Sequence, residues 1–254
     1  MKNKDHLQKS RNIFIFVCLL LSISSALIGQ NETERGYIVS IGDSAPEFSL
    51  EFTDSSKATM YDLKGDVIML QFTASWCSVC RKEMPHIEKE IWNIYKEFGL
   101  KVIGIDKDEP LETVQNFAKE THITYPLALD PKAEIFSLFA EKESGVTRNV
   151  IINPEGKIVF LTRLYDPIEF KNMIQVIHSE LEMLLNQRFL QLESNISQFK
   201  TQLIEFENKS SEDRTNLSKS DFERIASLSD KLSQAYIIKK DLQLKLHKLK
   251  RIRS

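Results

Sequence analysis

From Asp66 to Leu161 the apolar residues alternate between short unbroken runs and steps of three and four. Asp66-Val67-Ile68-Met69-Leu70-Gln71-Phe72 is such a run, rich in β-favouring residues, and predicts a strand buried on both faces. Beyond it, Met84, Ile87, Ile91, Ile94 and Tyr95 recur at helical spacing, so Ser78 to Phe98 reads as a helix that Pro85 kinks or interrupts in its first turns. The alternation continues with a strand over Leu100–Ile105, a helix over Leu111–Glu120, a strand over Tyr125–Leu129 and a short helix over Lys132–Phe139. Val150–Ile152 and Lys157–Leu161 are strands joined by Asn153-Pro154-Glu155-Gly156, a link so short that the pair must be an antiparallel hairpin. A lead-in strand and loop over Tyr37–Leu50 precede all of this, and a long helix begins near Pro167. The order predicts an α/β domain with a mixed central sheet flanked by helices: parallel in its first half, with an antiparallel edge.

Past residue 187 the pattern changes to heptads. Leu185, Phe189, Leu192, Ile196, Phe199, Leu203 and Phe206 keep a four-three spacing without a break. Asn208 to Lys219 is polar and reads as a loop. Ile225, Leu228, Leu232, Ala235, Lys239, Leu242, Leu246 and Leu249 form a second seam with one charged interruption. Residues 188–254 are therefore expected to be a coiled-coil-like α-helical hairpin that extends a domain spanning 37–187.

The first residues have the layout of a secretion signal. Lys2, Lys4, Lys9 and Arg11 precede the apolar run Ile13–Ile23, which is too short for a comfortable membrane span. Ser24-Ser25-Ala26 supplies small residues for cleavage, so residues 1–29 are expected to be removed, with an uncleaved N-terminal anchor as the alternative. Either way the folded part is expected outside the cytoplasm, in the periplasm, where protein disulfides persist.

Hydrophobic residues at 42% and charged residues at 28% fit a soluble globular protein, and a net charge of -2 gives no ground for a nucleic-acid partner. The charge is uneven: from Arg188 onward 14 Lys/Arg face 9 Asp/Glu, leaving -7 on the rest of the chain.

Chemistry enters with the cysteines. There are three, and Cys18 lies inside the leader, so the mature chain holds only Cys77-Ser78-Val79-Cys80. A lone C-x-x-C dithiol with no competing disulfide framework points to thiol–disulfide exchange. Cys77 sits between a buried strand and a helix start, where amides and the helix dipole favour a thiolate, so it is the expected nucleophile. Cys80, one turn later, would resolve the mixed disulfide. A zinc site would need two more ligands, and His86 and His122 are poorly spaced for that.

The order strand, Trp-Cys-x-x-Cys, helix, later β-hairpin resembles the thioredoxin fold. More narrowly, Ile41–Leu50, Leu63-Lys64-Gly65-Asp66-Val67, the segment Phe72–Pro85, Asp130-Pro131 and Asn153–Ile158 resemble landmarks of the TlpA/ResA-like family of extracytoplasmic thiol–disulfide oxidoreductases, over roughly residues 38–187. The resemblance implies that Trp76 packs beside the thiol and offers an apolar surface to partners. It implies that Glu83 is the acidic residue able to exchange a proton with Cys80. It also places Val146 and Thr147 opposite the dithiol, facing substrate. Here the chain departs from the family, which carries a cis-proline where this sequence has Thr147. A non-proline cis bond costs about 2.5–4 kcal/mol, so a trans peptide is expected. Gln71 stands where thioredoxins carry a buried aspartate and cannot titrate.

These readings lead to an enzyme with no organic cofactor and no metal, acting on protein disulfides. Uncharged Ser78 and Val79 supply no extra thiolate stabilisation, which favours a reductase, and an upstream membrane protein would have to supply its electrons. Two alternatives remain: a non-catalytic adaptor working through 188–254, by self-association or partner binding, and a peroxiredoxin-like peroxidase. The peroxidase signature P-x-x-x-[ST]-x-x-C is not met, because Leu70 and Ala74 occupy the Pro and Ser/Thr positions.

Overall fold

The computed structural model describes residues 35–212 and 218–252. The leader expected over 1–29, with Cys18, lies outside them. A small hairpin, β1 (Ser49–Glu51) with β2 (Lys57–Thr59), precedes the main sheet. The sheet is built from β3 (Ile68–Thr73), β4 (Lys101–Lys107), β5 (Leu127–Asp130), β6 (Arg148–Ile152) and β7 (Ile158–Arg163), in the order β5-β4-β3-β6-β7. β3, β4 and β5 are parallel, whereas β6 runs antiparallel to β3 and β7 antiparallel to β6. All six residues of β3 are buried, as its unbroken apolar run requires of a central strand covered on both faces.

Register places the strand ends that matter together. Thr73, the last residue of β3, is opposite Asp106 of β4, and Phe72 is opposite Arg148, the first residue of β6. Because β6 is antiparallel, the residue just before it, Thr147, arrives at the same edge as the loop that leaves β3. That edge is where open α/β sheets put their sites.

The helix after β3 begins as α1 (Ser78–His86) and passes through a wide π turn over Ile87–Trp92 and a tight turn over Lys96–Phe98 before Gly99 stops it with φ 103°. Pro85 does not end it, since α1 continues through the proline to His86. The proline has no N–H for the carbonyl one turn back, and the chain absorbs the mismatch as the wider turn that follows at once. Cys80, Glu83, Met84, Ile87, Glu88, Ile91 and Tyr95 form its buried stripe. α2 (Leu111–Thr121) follows β4.

The helix expected over Lys132–Phe139 shrinks to a single turn at Phe136–Leu138. Ala133 has φ 55°, which no right-handed helix admits, and the Asp130 carboxylate accepts the N–H groups of Ile135 and Phe136 at 3.1 and 2.8 Å. Phe136 and Phe139 are spent instead on the core, 5.4 and 5.3 Å from Phe72 in edge-on and tilted ring pairs.

The chain divides into two compact units between Ile177 and His178. The break expected near residue 187 is not a break in secondary structure: α3 runs from Pro167 to Glu212 without interruption. α4 spans Lys219–Ile252. Of the loop expected over Asn208–Lys219, the part up to Glu212 is helix in α3 and Lys219 opens α4, while residues 213–217 lie outside the described ones. Within the second unit the two heptad seams fall on half-buried and buried positions of α3 and α4, while most residues between them are exposed. The helices are antiparallel: Arg224 lies over the Phe206 ring and Lys239 over the Phe189 ring, at 5.3 and 5.4 Å. The charged interruption of the second seam is thereby explained. The Lys239 ammonium lies over the Phe189 ring and meets Glu193 Oε1 at 2.7 Å.

Phe72 is fully buried and anchors the aromatic cluster under the site. Phe72→Ala should lower unfolding stability by about 3–5 kcal/mol in urea titrations. A loss below about 1 kcal/mol would mean that the cluster repacks.

Candidate active site

The site stands where β3 ends. Ala74-Ser75-Trp76 leads to Cys77, the N-cap of α1, whose Sγ accepts the N–H of Cys80 at 3.3 Å. This is the N-cap geometry usually supplied by a serine or aspartate, here with sulfur as acceptor. Cys77 and Cys80 are both free thiols, their sulfurs 2.7 Å apart, with the Cys80 thiol directed at Cys77. Cys77 retains 9% exposure and Cys80 none. The Thr147 hydroxyl lies 3.1 Å from Cys77 Sγ and 3.2 Å from Cys80 Sγ.

The two thiols are driven apart in acidity. The hydrogen bond from Cys80 pulls Cys77 down to about 5 against the cost of burial, with Thr147 and the backbone N–H groups of Cys80 and Val79 adding to the pull. The same hydrogen bond, followed by full burial, pushes Cys80 far up. One sulfur is thus a thiolate at neutral pH and the other holds its proton.

Glu83 lies one turn beyond Cys80 and is 1% exposed. Asn149 Nδ2 donates to its Oε1 at 2.8 Å, and Gln71 Nε2 approaches Oε2 at 3.4 Å. Behind them Tyr125 donates to Gln71 at 2.7 Å and Asn149 to the Thr162 hydroxyl at 2.8 Å. Burial outweighs these donors and raises the Glu83 carboxyl to about 7. A second buried acid, Asp106, is fully enclosed, and neither carboxylate oxygen has a hydrogen-bond partner. Burial first, then the charge of Glu109, lifts it to about 9. Glu109 in turn accepts both the N–H and the hydroxyl of Ser75 at 2.5 Å, and so ties the loop that carries Cys77 to the end of β4.

Of the residues singled out in the sequence, Cys77, Cys80, Glu83 and Thr147 come together. Trp76 is 64% exposed and is the apolar face beside the dithiol. Val146 and Thr147, expected to face substrate, are each 2% exposed, and Val146 is packed in the same apolar cluster as both cysteines. All peptides among the described residues are trans, including that before Thr147. No cluster of three metal-ligating side chains occurs among the described residues. Asn149, Tyr125, Asp106 and Glu109 went unnoticed in the sequence. Asn149 and Asp106 did leave a trace there, as single polar residues beside the apolar runs of β6 and β4.

A dithiol of unequal acidity at a helix start, on a mixed sheet of this topology, defines a thioredoxin-fold thiol–disulfide oxidoreductase. Comparison with known proteins agrees. The AhpC/TSA family profile matches residues 41–161. The thiol-disulfide oxidoreductase ResA of Oceanobacillus iheyensis is 33% identical over 166 residues, covering 62% of this chain and 85% of that protein. ResA of Bacillus subtilis is 30% identical over 161 residues, covering 60% and 86%. Among solved structures, one described as a candidate protein disulfide isomerase from Bacteroides thetaiotaomicron is 56% identical with a TM-score of 0.56, covering 57% of this chain and 92% of that one. A thiol:disulfide interchange protein of DsbE type from Chlorobium tepidum is 26% identical with a TM-score of 0.51, covering 56% and 99%. The chain belongs to the TlpA/ResA-like family of thiol–disulfide oxidoreductases, in the thioredoxin superfamily.

The Glu83 carboxyl titrates near 4.5 in an unfolded chain and near 7 in the fold, so the folded protein holds the extra proton between those values. Stability should therefore fall as pH rises from 4.5 to 7 and level off above, by roughly 3 kcal/mol at most for this group. Glu83→Gln should flatten that slope and gain stability at pH 8 relative to pH 5. Parallel slopes for the two proteins in denaturant titrations would contradict the assignment.

Proposed function

We propose that this protein is a secreted, periplasmic protein-disulfide reductase that uses Cys77 as nucleophile and Cys80 as resolving thiol. The observation that carries the reading is the asymmetry of the pair: Cys77 is the partly exposed helix cap that collects the hydrogen bonds, and Cys80 is fully enclosed with its thiol directed at Cys77. Thiol–disulfide exchange needs one ready thiolate and one held in reserve. Glu83, with its carboxyl near 7, takes up or returns the Cys80 proton in the resolving step. Trp76 supplies the surface on which a substrate polypeptide rests.

The direction follows from opposing pulls. Ser78 and Val79 bring no charge between the cysteines, which leaves the reduced form without the extra stabilisation of a strong oxidant. The hydrogen bonds on Cys77 stabilise the thiolate and raise the potential. The balance is a mild reductant, between thioredoxin at about -270 mV and protein disulfide isomerase at about -180 mV. The leader-like N-terminus supports export, and no helix among the described residues is long and apolar enough to cross a membrane. Electrons would then come from a separate membrane-embedded donor.

Brief iodoacetamide labelling across pH, read by mass spectrometry, tests the roles: Cys77 should label with a midpoint near pH 5 while Cys80 stays unlabelled below about pH 9. Equal labelling of the two would reject the assignment. Insulin should be reduced with turnover by the wild type and not by Cys77→Ser, and equilibration with glutathione should give a potential below about -180 mV. A higher potential would make the protein an oxidant. Peroxide consumption matching insulin turnover would move it to the peroxidases.

A further inference from the structure

The two sulfurs and one hydroxyl form a closed triangle. Cys77 Sγ and Cys80 Sγ are 2.7 Å apart, and Thr147 Oγ1 is 3.1 Å from the first and 3.2 Å from the second. The hydroxyl is not there by chance of a flexible side chain. Thr147 is 2% exposed, it directly precedes β6, and its carbonyl accepts the N–H of Leu164 at 3.2 Å and a guanidinium nitrogen of Arg163 at 3.4 Å. Its backbone is held by these bonds and its side chain is buried, and in the observed rotamer the hydroxyl hydrogen can turn to either sulfur. A hydroxyl has one proton to donate and can serve one anion at a time.

We infer that Thr147 is a further catalytic residue, a shared donor whose hydroxyl points at whichever sulfur carries the negative charge: Cys77 in the dithiol, Cys80 in the mixed disulfide. The inference rests on Cys77 being the nucleophile. In the first step the Cys77 thiolate attacks one sulfur of a substrate disulfide. The substrate S–S bond breaks, a Cys77–substrate disulfide forms, and one substrate sulfur departs as thiolate with the electron pair. Cys77 is now neutral and no longer needs a donor. In the second step Cys80 gives up its proton and attacks Cys77 Sγ. The Cys77–Cys80 disulfide forms and the second substrate sulfur leaves as thiolate. Two electrons have passed to the substrate, and the proton lost from Cys80 is balanced by one taken up by the released thiols. Cys80 is fully enclosed, and a thiolate there is costly unless a donor meets it. Thr147 meets it at 3.2 Å with no heavy atom moved. A charge-assisted hydrogen bond of this kind is stronger than a neutral one, and here a single group lends it to two successive anions.

The full-length chain with Thr147→Val and Thr147→Ser tests this. Valine keeps the shape and removes the hydroxyl; serine restores the hydroxyl and removes the methyl. Two quantities are read with 5,5′-dithiobis(2-nitrobenzoate) as substrate disulfide: the pH midpoint of the first thionitrobenzoate release, which reports the Cys77 thiolate, and the rate of the second release, which reports attack by Cys80. Thr147→Val should raise the midpoint by about one pH unit and slow the second release about tenfold. Thr147→Ser should restore both. A purely structural role would move neither the midpoint nor its rescue by serine. A Val variant with wild-type values for either quantity overturns the shared donor, and Thr147→Ala gives the same readings by a second route. If instead the wild type shows no preferentially reactive Cys77, the assignment of the nucleophile fails first, and that is visible before any variant is made.

Discussion

A negative charge has to be kept on a sulfur that the fold has nearly taken out of water. Cys77 is 9% exposed and its neighbour fully enclosed, so solvent cannot stabilise the thiolate. Desolvation alone would push its acidity the wrong way. The protein answers with donors: the N–H of Cys80, the Cys80 thiol and the Thr147 hydroxyl, all within 3.3 Å. Each donor is placed by a different part of the fold. The first two come from the opening turn of α1, and the third from the start of β6, which reaches the site only because that strand runs antiparallel to β3. The mixed sheet is therefore a condition of the chemistry as well as a way to bury a core.

Acid groups around this charge are pushed towards their neutral forms by the same dryness. Glu83 and Asp106 are both buried close to the dithiol end of the sheet, and neither Asp106 oxygen meets a hydrogen-bond partner. Two ionised carboxylates there would repel the Cys77 thiolate, and the upward shift of both groups, to about 7 for Glu83 and about 9 for Asp106, weakens that repulsion. Glu109 stays at the rim, where the Ser75 N–H and hydroxyl meet it. One acid steadies the loop while the other two stay out of the electrostatic balance until a proton is needed.

Much of this was legible in the sequence, for identifiable reasons. The run through Ile68–Phe72 and the three-four spacing after it fixed the strand, the helix and the place of the dithiol between them. The heptads showed the second unit as paired helices. The turn around Ala133 could not be read, because a single left-handed residue leaves no periodic mark, and Phe136 and Phe139 looked helical when they were core aromatics. Thr147 was conspicuous as a departure from family pattern, but its distance to both sulfurs is a matter of register between β3 and β6. Val146 was expected to face substrate, and its near-complete burial is something no local pattern announces, because proximity to a site and exposure at it are independent. Asn149, Tyr125, Asp106 and Glu109 are isolated polar residues whose partners come from other strands, and no local pattern announces such a partnership.

The two long helices raise a separate question of specificity. Heptad seams made of Leu, Ile and Phe are nearly repetitive, and a repetitive seam can slide by seven residues at little apolar cost. Lys239 interrupts that degeneracy. In the observed register its ammonium meets Glu193 and lies over the Phe189 ring. A slip of one heptad that set it beside Ile196 would bring it against Lys200 instead of Glu193, replacing an ion pair by two like charges. The odd charge in the seam is thus a key cut for a single alignment, traded against one leucine's worth of burial.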